Sequence, residues 1–171
     1  MKVLLIGSGG REHAIAKALS KSSELFSVMS KKNPGIASLS KDFHIGSETS
    51  PSEVVKYAKK VGVEYAVIGP EAPLAEGVAD ALEDAGIFTF GPKKNVAILE
   101  FDKAWTREFM KKYSIRGYPD FVVCDTVDEV QSALESIGEA AIKPSGLTGG
   151  KGVKVMGEHL KGVEEALSYS S

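Results

Sequence analysis

Val3-Leu4-Leu5-Ile6-Gly7-Ser8-Gly9-Gly10-Arg11-Glu12-His13 decides the fold class. Four apolar residues run unbroken into glycine, which is how a strand buried on both faces of a sheet reads. Past the glycines, Ala14, Ile15, Ala18 and Leu19 recur at helical spacing, so a helix is expected over Arg11–Leu19. Strand, tight turn and helix together open a βαβ unit. The alternation continues. Strands are expected at Leu25–Met29, Phe43–Ile45, Tyr65–Ile68 and Phe88–Phe90. Ser50-Pro51-Ser52-Glu53 has the residues of a capping box and opens a helix to about Lys60. Leu74 to Ala85 reads as one helix stopped by Gly86. Strands alternating with helices require crossover connections, hence a parallel sheet with helices on both faces. Residues 1 to 91 are therefore expected to form an α/β domain of Rossmann-like architecture.

From Lys93 the pattern changes. Helices are expected near Val96–Leu99 and over Lys103–Tyr113, then a strand at Asp120–Cys124. Thr126-Val127-Asp128-Glu129 is a second capping-box start, leading a helix to about Ser136. Strands Ala140–Lys143 and Val153–Met156 flank a glycine-rich hairpin, and His159–Tyr169 reads as a last helix. Residues 92 to 171 form a smaller α+β unit on this reading.

Composition bounds the function. The 171 residues are 43% hydrophobic and 26% charged, which is ordinary for a globular chain and excludes a disordered one. A net charge of −2 without a basic stripe gives no nucleic-acid footprint. One cysteine excludes an internal disulfide, and Cys124, inside Phe121-Val122-Val123-Cys124, reads as a buried core thiol. His13, His44 and His159 are scattered without cysteine partners, so no zinc site is expected. No run approaches the roughly 20 apolar residues that span a bilayer. The N-terminal apolar run Val3–Ile6 is too short for a signal peptide, so a cytoplasmic protein is expected.

Three loops carry chemistry. Gly7–His13 joins a strand to a helix, where small residues and a helix N-terminus suit a phosphate; a purely structural tight turn is the competing reading. Gly7 and Gly9 match a dinucleotide fingerprint, but Glu12 stands at its third glycine and Ser30-Lys31-Lys32 supplies no acid for a ribose hydroxyl. Gly69-Pro70-Glu71-Ala72-Pro73-Leu74 follows a strand, where ligands of open parallel sheets sit. Glu71 there could accept from sugar hydroxyls or an amine, or simply favour a helix dipole. Lys143-Pro144-Ser145-Gly146-Leu147-Thr148-Gly149-Gly150-Lys151-Gly152-Val153 places two lysines around a flexible hairpin, a composition that suits phosphates. It is no Walker A loop, since neither a helix nor Ser/Thr follows Lys151.

With these motifs in order, the chain resembles the phosphoribosylamine–glycine ligase family of ATP-grasp enzymes. The resemblance runs through Gly7–His13, Asn33-Pro34-Gly35, Gly69–Leu74, Phe90-Gly91-Pro92, Leu99-Glu100 with Lys103, and Lys143 with Gly149–Val153. Phe101-Asp102 stands where the family has glycine and serine, and Pro144-Ser145 where it has alanine and an acid. The resemblance implies a Rossmann-like pre-ATP-grasp domain followed by the start of an ATP-grasp fold. It implies ATP-dependent joining of glycine to 5-phosphoribosylamine through glycyl phosphate, with Mg2+ held by residues beyond this chain. Ser8, Gly9, Gly10, Arg11, Asn33, Pro34 and Gly35 would contact phosphoribosylamine, mainly its phosphate, and Pro70 and Glu71 its ribose. Lys103, Lys143, Gly149, Gly150, Lys151, Gly152 and Val153 would hold ATP. The family is much longer, so this chain is expected to be its N-terminal part, completed by a C-terminal part in cis or in trans. An NADP-type oxidoreductase using Lys31 or Lys32, and a non-catalytic nucleotide-binding module, are the alternatives.

Overall fold

The computed structural model describes residues 1–146, 148 and 152–171. These divide into two compact units, Met1–Phe101 and Asp102–Ser171. Among the described residues no helix is long and apolar enough to cross a membrane.

The first unit alternates β1 (Lys2–Ile6), α1 (Gly10–Leu19), β2 (Glu24–Met29), α2 (Pro34–Leu39), β3 (Asp42–Ile45), α3 (Pro51–Val61), β4 (Tyr65–Ile68), α4 (Glu71–Ala75), α5 (Val78–Asp84), β5 (Phe88–Phe90) and α6 (Lys94–Phe101). Its strands form one parallel sheet in the order β3-β2-β1-β4-β5. Alternate side chains serve opposite faces, as the strand period requires. Leu4, Ile6, Phe26, Val28, Ala66 and Ile68 pack against Val54, Leu74, Val78, Leu82 and Ala97. Leu5, Leu25 and Met29 pack against Ala16 and Ile36 on the other face. That continuous burial is why β1 carries no polar residue between Val3 and Ile6.

Several boundaries differ from the sequence expectation, each for a local reason. The helix expected over Leu74–Ala85 is two, because Gly77 adopts a left-handed φ of 78° and restarts the chain at α5. Asn33-Pro34-Gly35, for which no helix was expected, opens helix α2, since the Asn33 side chain accepts from the N–H groups of Gly35 (3.0 Å) and Ile36 (3.3 Å). The first unit runs past residue 91 to Phe101 because α6 buries Ala97 in its core and packs Phe101 against it.

The capping box expected at Ser50–Glu53 is half formed. Ser50 accepts the Glu53 N–H at 3.4 Å, but the Glu53 carboxylate turns to His44 Nε2 (2.7 Å) and the Ser47 N–H (3.2 Å). The His44 hydrogen bond first, and the Ser47 amide second, hold the Glu53 carboxyl below its ordinary value. A carboxyl lowered in the folded state stabilises above its unfolded pKa, about 4.3, and that contribution disappears as pH falls through the folded value. The urea midpoint should therefore fall more between about pH 6 and pH 3 in the wild type than in Glu53→Gln. Parallel curves for the two proteins would remove the His44–Glu53 contact from the acid response.

The second unit contains α7 (Lys103–Lys112), α8 (Val127–Ile137), β6 (Ala141–Ile142), β7 (Lys154–Val155) and α9 (Val163–Ser170). The capping box at α8 is complete: Thr126 Oγ1 accepts the Glu129 N–H, and Glu129 Oε2 accepts the Thr126 N–H. β6 and β7 pair antiparallel, with Ile142 opposite Lys154, each shorter than expected. Leu134, Leu160 and Ala166 form a small core. The expected strand at Asp120–Cys124 is absent. Strand propensity needs a neighbouring ladder to be realised, and without one Val122 stays 54% exposed and Cys124 is only half-buried, so it is not a core thiol. The last helix starts at Val163 rather than His159, because the preceding turn sends Leu160 inward and bridges it to Met156.

Candidate functional site

Leaving β1, the chain crosses first to β2 and β3 on one side and later to β4 and β5 on the other. The crevice beyond the carboxyl ends of β1 and β4 is therefore the topological switch point, where open parallel sheets place their ligands. Loops following β1, β2 and β4, three adjacent strands, meet there.

The β1 loop is built around Gly7, whose φ of 128° is open to glycine alone. Its N–H donates to Val28 O at 3.0 Å. Gly9 caps α1, and the first-turn N–H groups of Gly10, Arg11 and Glu12 have no carbonyl four residues back within the helix to donate to. Small residues and aligned donors are the features that suit an anion. Side-chain hydrogen bonds tie it to its neighbours. Asn33 Nδ2 donates to Ser8 O (3.0 Å) and Gly9 O (3.4 Å). Arg11 donates from a guanidinium nitrogen to Gly69 O at 3.1 Å. Ser8 and Ser30 share a hydroxyl hydrogen bond of 3.1 Å. Pro70 caps α4 and Glu71 is its first residue, half-buried at the rim of the β4 loop. Pro34 and Gly35 open α2, with Gly35 packed so closely on the His13 ring that a Cβ would lie 2.4 Å from Nε2.

Sequence reasoning missed two acids. Glu12, counted only as a failed third glycine, is 5% exposed and accepts the Gly9 N–H at 2.8 Å. The spacing Gly9-x-x-Glu12 matches the return half of a capping box and could have shown it. Glu48 reaches back to accept the Ser30 N–H at 2.6 Å. It lies 18 residues further along the chain, so no local motif announces it.

In the second unit, Lys103 begins α7 and its Nζ donates to the carbonyls of Gly146 (3.0 Å) and Pro144 (3.5 Å). The Lys103 N–H reaches Ser145 O at 3.4 Å. Lys143 follows β6 and is exposed. Gly152 is buried against Thr148, and Val153 is 37% exposed just before β7. Lys103 and the start of the glycine-rich segment, residues 144–146, thus come together. Gly149, Gly150 and Lys151 lie outside the described residues. Among those described, no three histidine, cysteine or carboxylate side chains converge as metal ligands.

The description "Phosphoribosylglycinamide synthetase, N domain" matches residues 1–100, and "Phosphoribosylglycinamide synthetase, ATP-grasp (A) domain" matches residues 101–170. A phosphoribosylamine–glycine ligase of Methanosarcina barkeri is 56% identical over all of this chain, which covers 40% of that relative. One from Pyrococcus horikoshii is 49% identical, with 99% of this chain and 39% of the relative aligned. The crystal structure of phosphoribosylamine–glycine ligase from Thermotoga maritima superposes with a TM-score of 0.75 at 31% identity, over 98% of this chain and 38% of that one. The chain thus spans about 40% of the length of the curated relatives it matches. With a described family domain matched along each of its two units, this chain belongs to the phosphoribosylglycinamide synthetase family.

Proposed function

We propose that this chain supplies the sugar-phosphate seat and part of the ATP site of a phosphoribosylamine–glycine ligase, an enzyme of de novo purine biosynthesis acting in the cytoplasm. The complete enzyme phosphorylates the glycine carboxylate at the expense of ATP. The amine of 5-phosphoribosylamine then displaces phosphate from the acyl carbon, giving glycinamide ribonucleotide, ADP and phosphate. The region that the longer relatives carry beyond this match completes the site, in cis or in trans.

One observation carries the reading: the loops after β1, β2 and β4 are tied together by Arg11 and Asn33 around an open helix N-terminus at the switch point. Ser8, Gly10, Arg11 and the Asn33–Gly35 turn would hold the phosphate. Pro70 and Glu71 on the adjoining rim would face the ribose, where a carboxylate accepts from hydroxyls. In the second unit Lys103 gives two of its three donors to carbonyls, the third having no partner among the described residues, and Lys143 is exposed. Both fit a polyphosphate, which supplies the phosphoryl group when bound. Gly149 to Val153 would close over it, and the lysines would fix its oxygens by charge. No three histidine, cysteine or carboxylate side chains among the described residues converge to hold a magnesium ion. An NADP reading is not favoured, since the Glu48 carboxylate sits at the end of β2 and would repel a 2′-phosphate, while Lys32 lies over the Phe43 ring.

Gly10→Asp tests the phosphate seat. A Cβ at Gly10 meets nothing within 4 Å, and an acid in a first helical turn favours the macrodipole, so the fold should be kept. The new carboxylate would stand where the phosphate should rest. Calorimetry with ribose 5-phosphate should show binding to the wild type and to Gly10→Ala, and a loss of at least about tenfold in Gly10→Asp, the scale of a lost charge-assisted contact. Equal binding to all three would make the turn a structural one.

A further inference from the structure

Among the described residues Glu12 is the one charged side chain that is buried, at 5% exposed. Taking a carboxylate out of water is unfavourable unless it finds partners, so its surroundings show what it does. Its Oε2 takes the Gly9 N–H at 2.8 Å. The rest of the side chain lies against glycines from two loops. A Cβ on Gly7 would come 2.4 Å from Glu12 Cγ, and one on Gly69 2.4 Å from Oε1. Gly9 is equally close, at 2.6 Å from Oε2. The carboxylate fills the space between the β1 and β4 loops that side chains would otherwise occupy. Its neighbour Arg11 bonds the Gly69 carbonyl. Successive residues of α1 thus hold the β4 loop twice, once by hydrogen bond and once by packing.

We infer that Glu12 is a positioning residue: it clamps the β1 and β4 loops at the separation that lets the start of α1 and Glu71 reach one sugar phosphate. This rests on the sugar-phosphate reading above. It also moves the anion seat. The Gly9 N–H is spent on Glu12, so the amides of Gly10 and Arg11, not that of Gly9, receive the phosphate.

The test compares wild type, Glu12→Gln and Glu12→Ala in the 171-residue chain, at a temperature where circular dichroism shows each one folded. Two quantities are read: the dissociation constant for ribose 5-phosphate and the hydrogen-exchange rate of the Gly9 amide. Glutamine keeps the length and an acceptor oxygen, so it should stay within about threefold of wild type in both. Alanine should weaken binding and speed Gly9 exchange by about tenfold or more, the factor carried by a lost hydrogen bond. Should Glu12→Ala fail to fold, Glu12→Asp replaces it. Withdrawing the carboxylate by one methylene should weaken binding and loosen Gly9 in the same direction. Faster exchange with unchanged affinity overturns the proposal, because the clamp would then be structural only. Affinity and exchange both within twofold of wild type in Glu12→Ala overturn it as well. A wild type that binds no ribose 5-phosphate overturns the sugar-phosphate reading itself, and Gly9 exchange still reports separately on the clamp.

Discussion

Gly7→Ala should cost the first unit about 2–6 kcal/mol of unfolding free energy. Two independent penalties meet at this residue. Its φ of 128° lies where only glycine is relaxed, and forcing another residue into such a region costs about 1–3 kcal/mol. The added Cβ would also sit 2.4 Å from Glu12 Cγ and 2.9 Å from Pro70 Cδ. Neither can retreat easily, since Glu12 is buried and Pro70 is a rigid ring, and overpacking of this kind costs about 1–3 kcal/mol. Set against the roughly 5–15 kcal/mol that holds a domain folded, the sum can unfold it. Gly86→Ala is the matched control. Its φ is 80°, but nothing lies within 4 Å of the new Cβ, so only the left-handed backbone penalty of about 1–2 kcal/mol applies. Urea unfolding followed by circular dichroism compares the two. If Gly7→Ala is no more costly than Gly86→Ala, the close packing around Glu12 is not real.

In the complete enzyme, Lys143→Met should lower kcat/KM for ATP by about ten- to a hundred-fold while leaving sugar-phosphate binding unchanged. A charge-assisted hydrogen bond contributes about 1.5–3 kcal/mol, and each 1.4 kcal/mol is about a factor of ten. Lys143 is exposed at the end of β6, so methionine should leave the thermal midpoint where it is. Lys103 should behave differently. Its ammonium also secures the carbonyls of Pro144 and Gly146. Lys103→Met should therefore loosen the 144–146 segment and depress ATP use together. Steady-state kinetics with ATP varied, alongside thermal melts, separates the two lysines. A specificity constant within twofold of wild type for Lys143→Met would make Lys143 a surface lysine.

The parallel sheet was legible because burial on both faces forces apolar runs, unbroken in β1 and β4 and interrupted in β2 by the buried Ser27 alone. The three ligand loops were legible because glycine and proline mark them at strand ends. What escaped depends on the third dimension. Gly77 lies inside the stretch Leu74–Ala85 that reads as one helix, and only its left-handed conformation shows the break. Phe121–Cys124 has strand composition, yet pairing is a property of neighbours, and none of the described strands lies beside it. The site suffered most where contacts are long-range: Glu48 acts on Ser30 and Arg11 on Gly69, and nothing local links either pair.

The enclosure of Glu12 by Gly7, Gly9 and Gly69 also bears on how such a signature can drift. A glycine motif beside a phosphate is usually taken as a record of the ligand. Here two glycines of the turn, Gly7 and Gly9, and Gly69 from the β4 loop are fitted to an acid of the protein itself. The four positions are coupled sterically. A side chain at any of the three glycines would meet Glu12, and a shorter residue at position 12 would relieve Gly9 and Gly69 together. Gly7 alone would remain, held by its backbone.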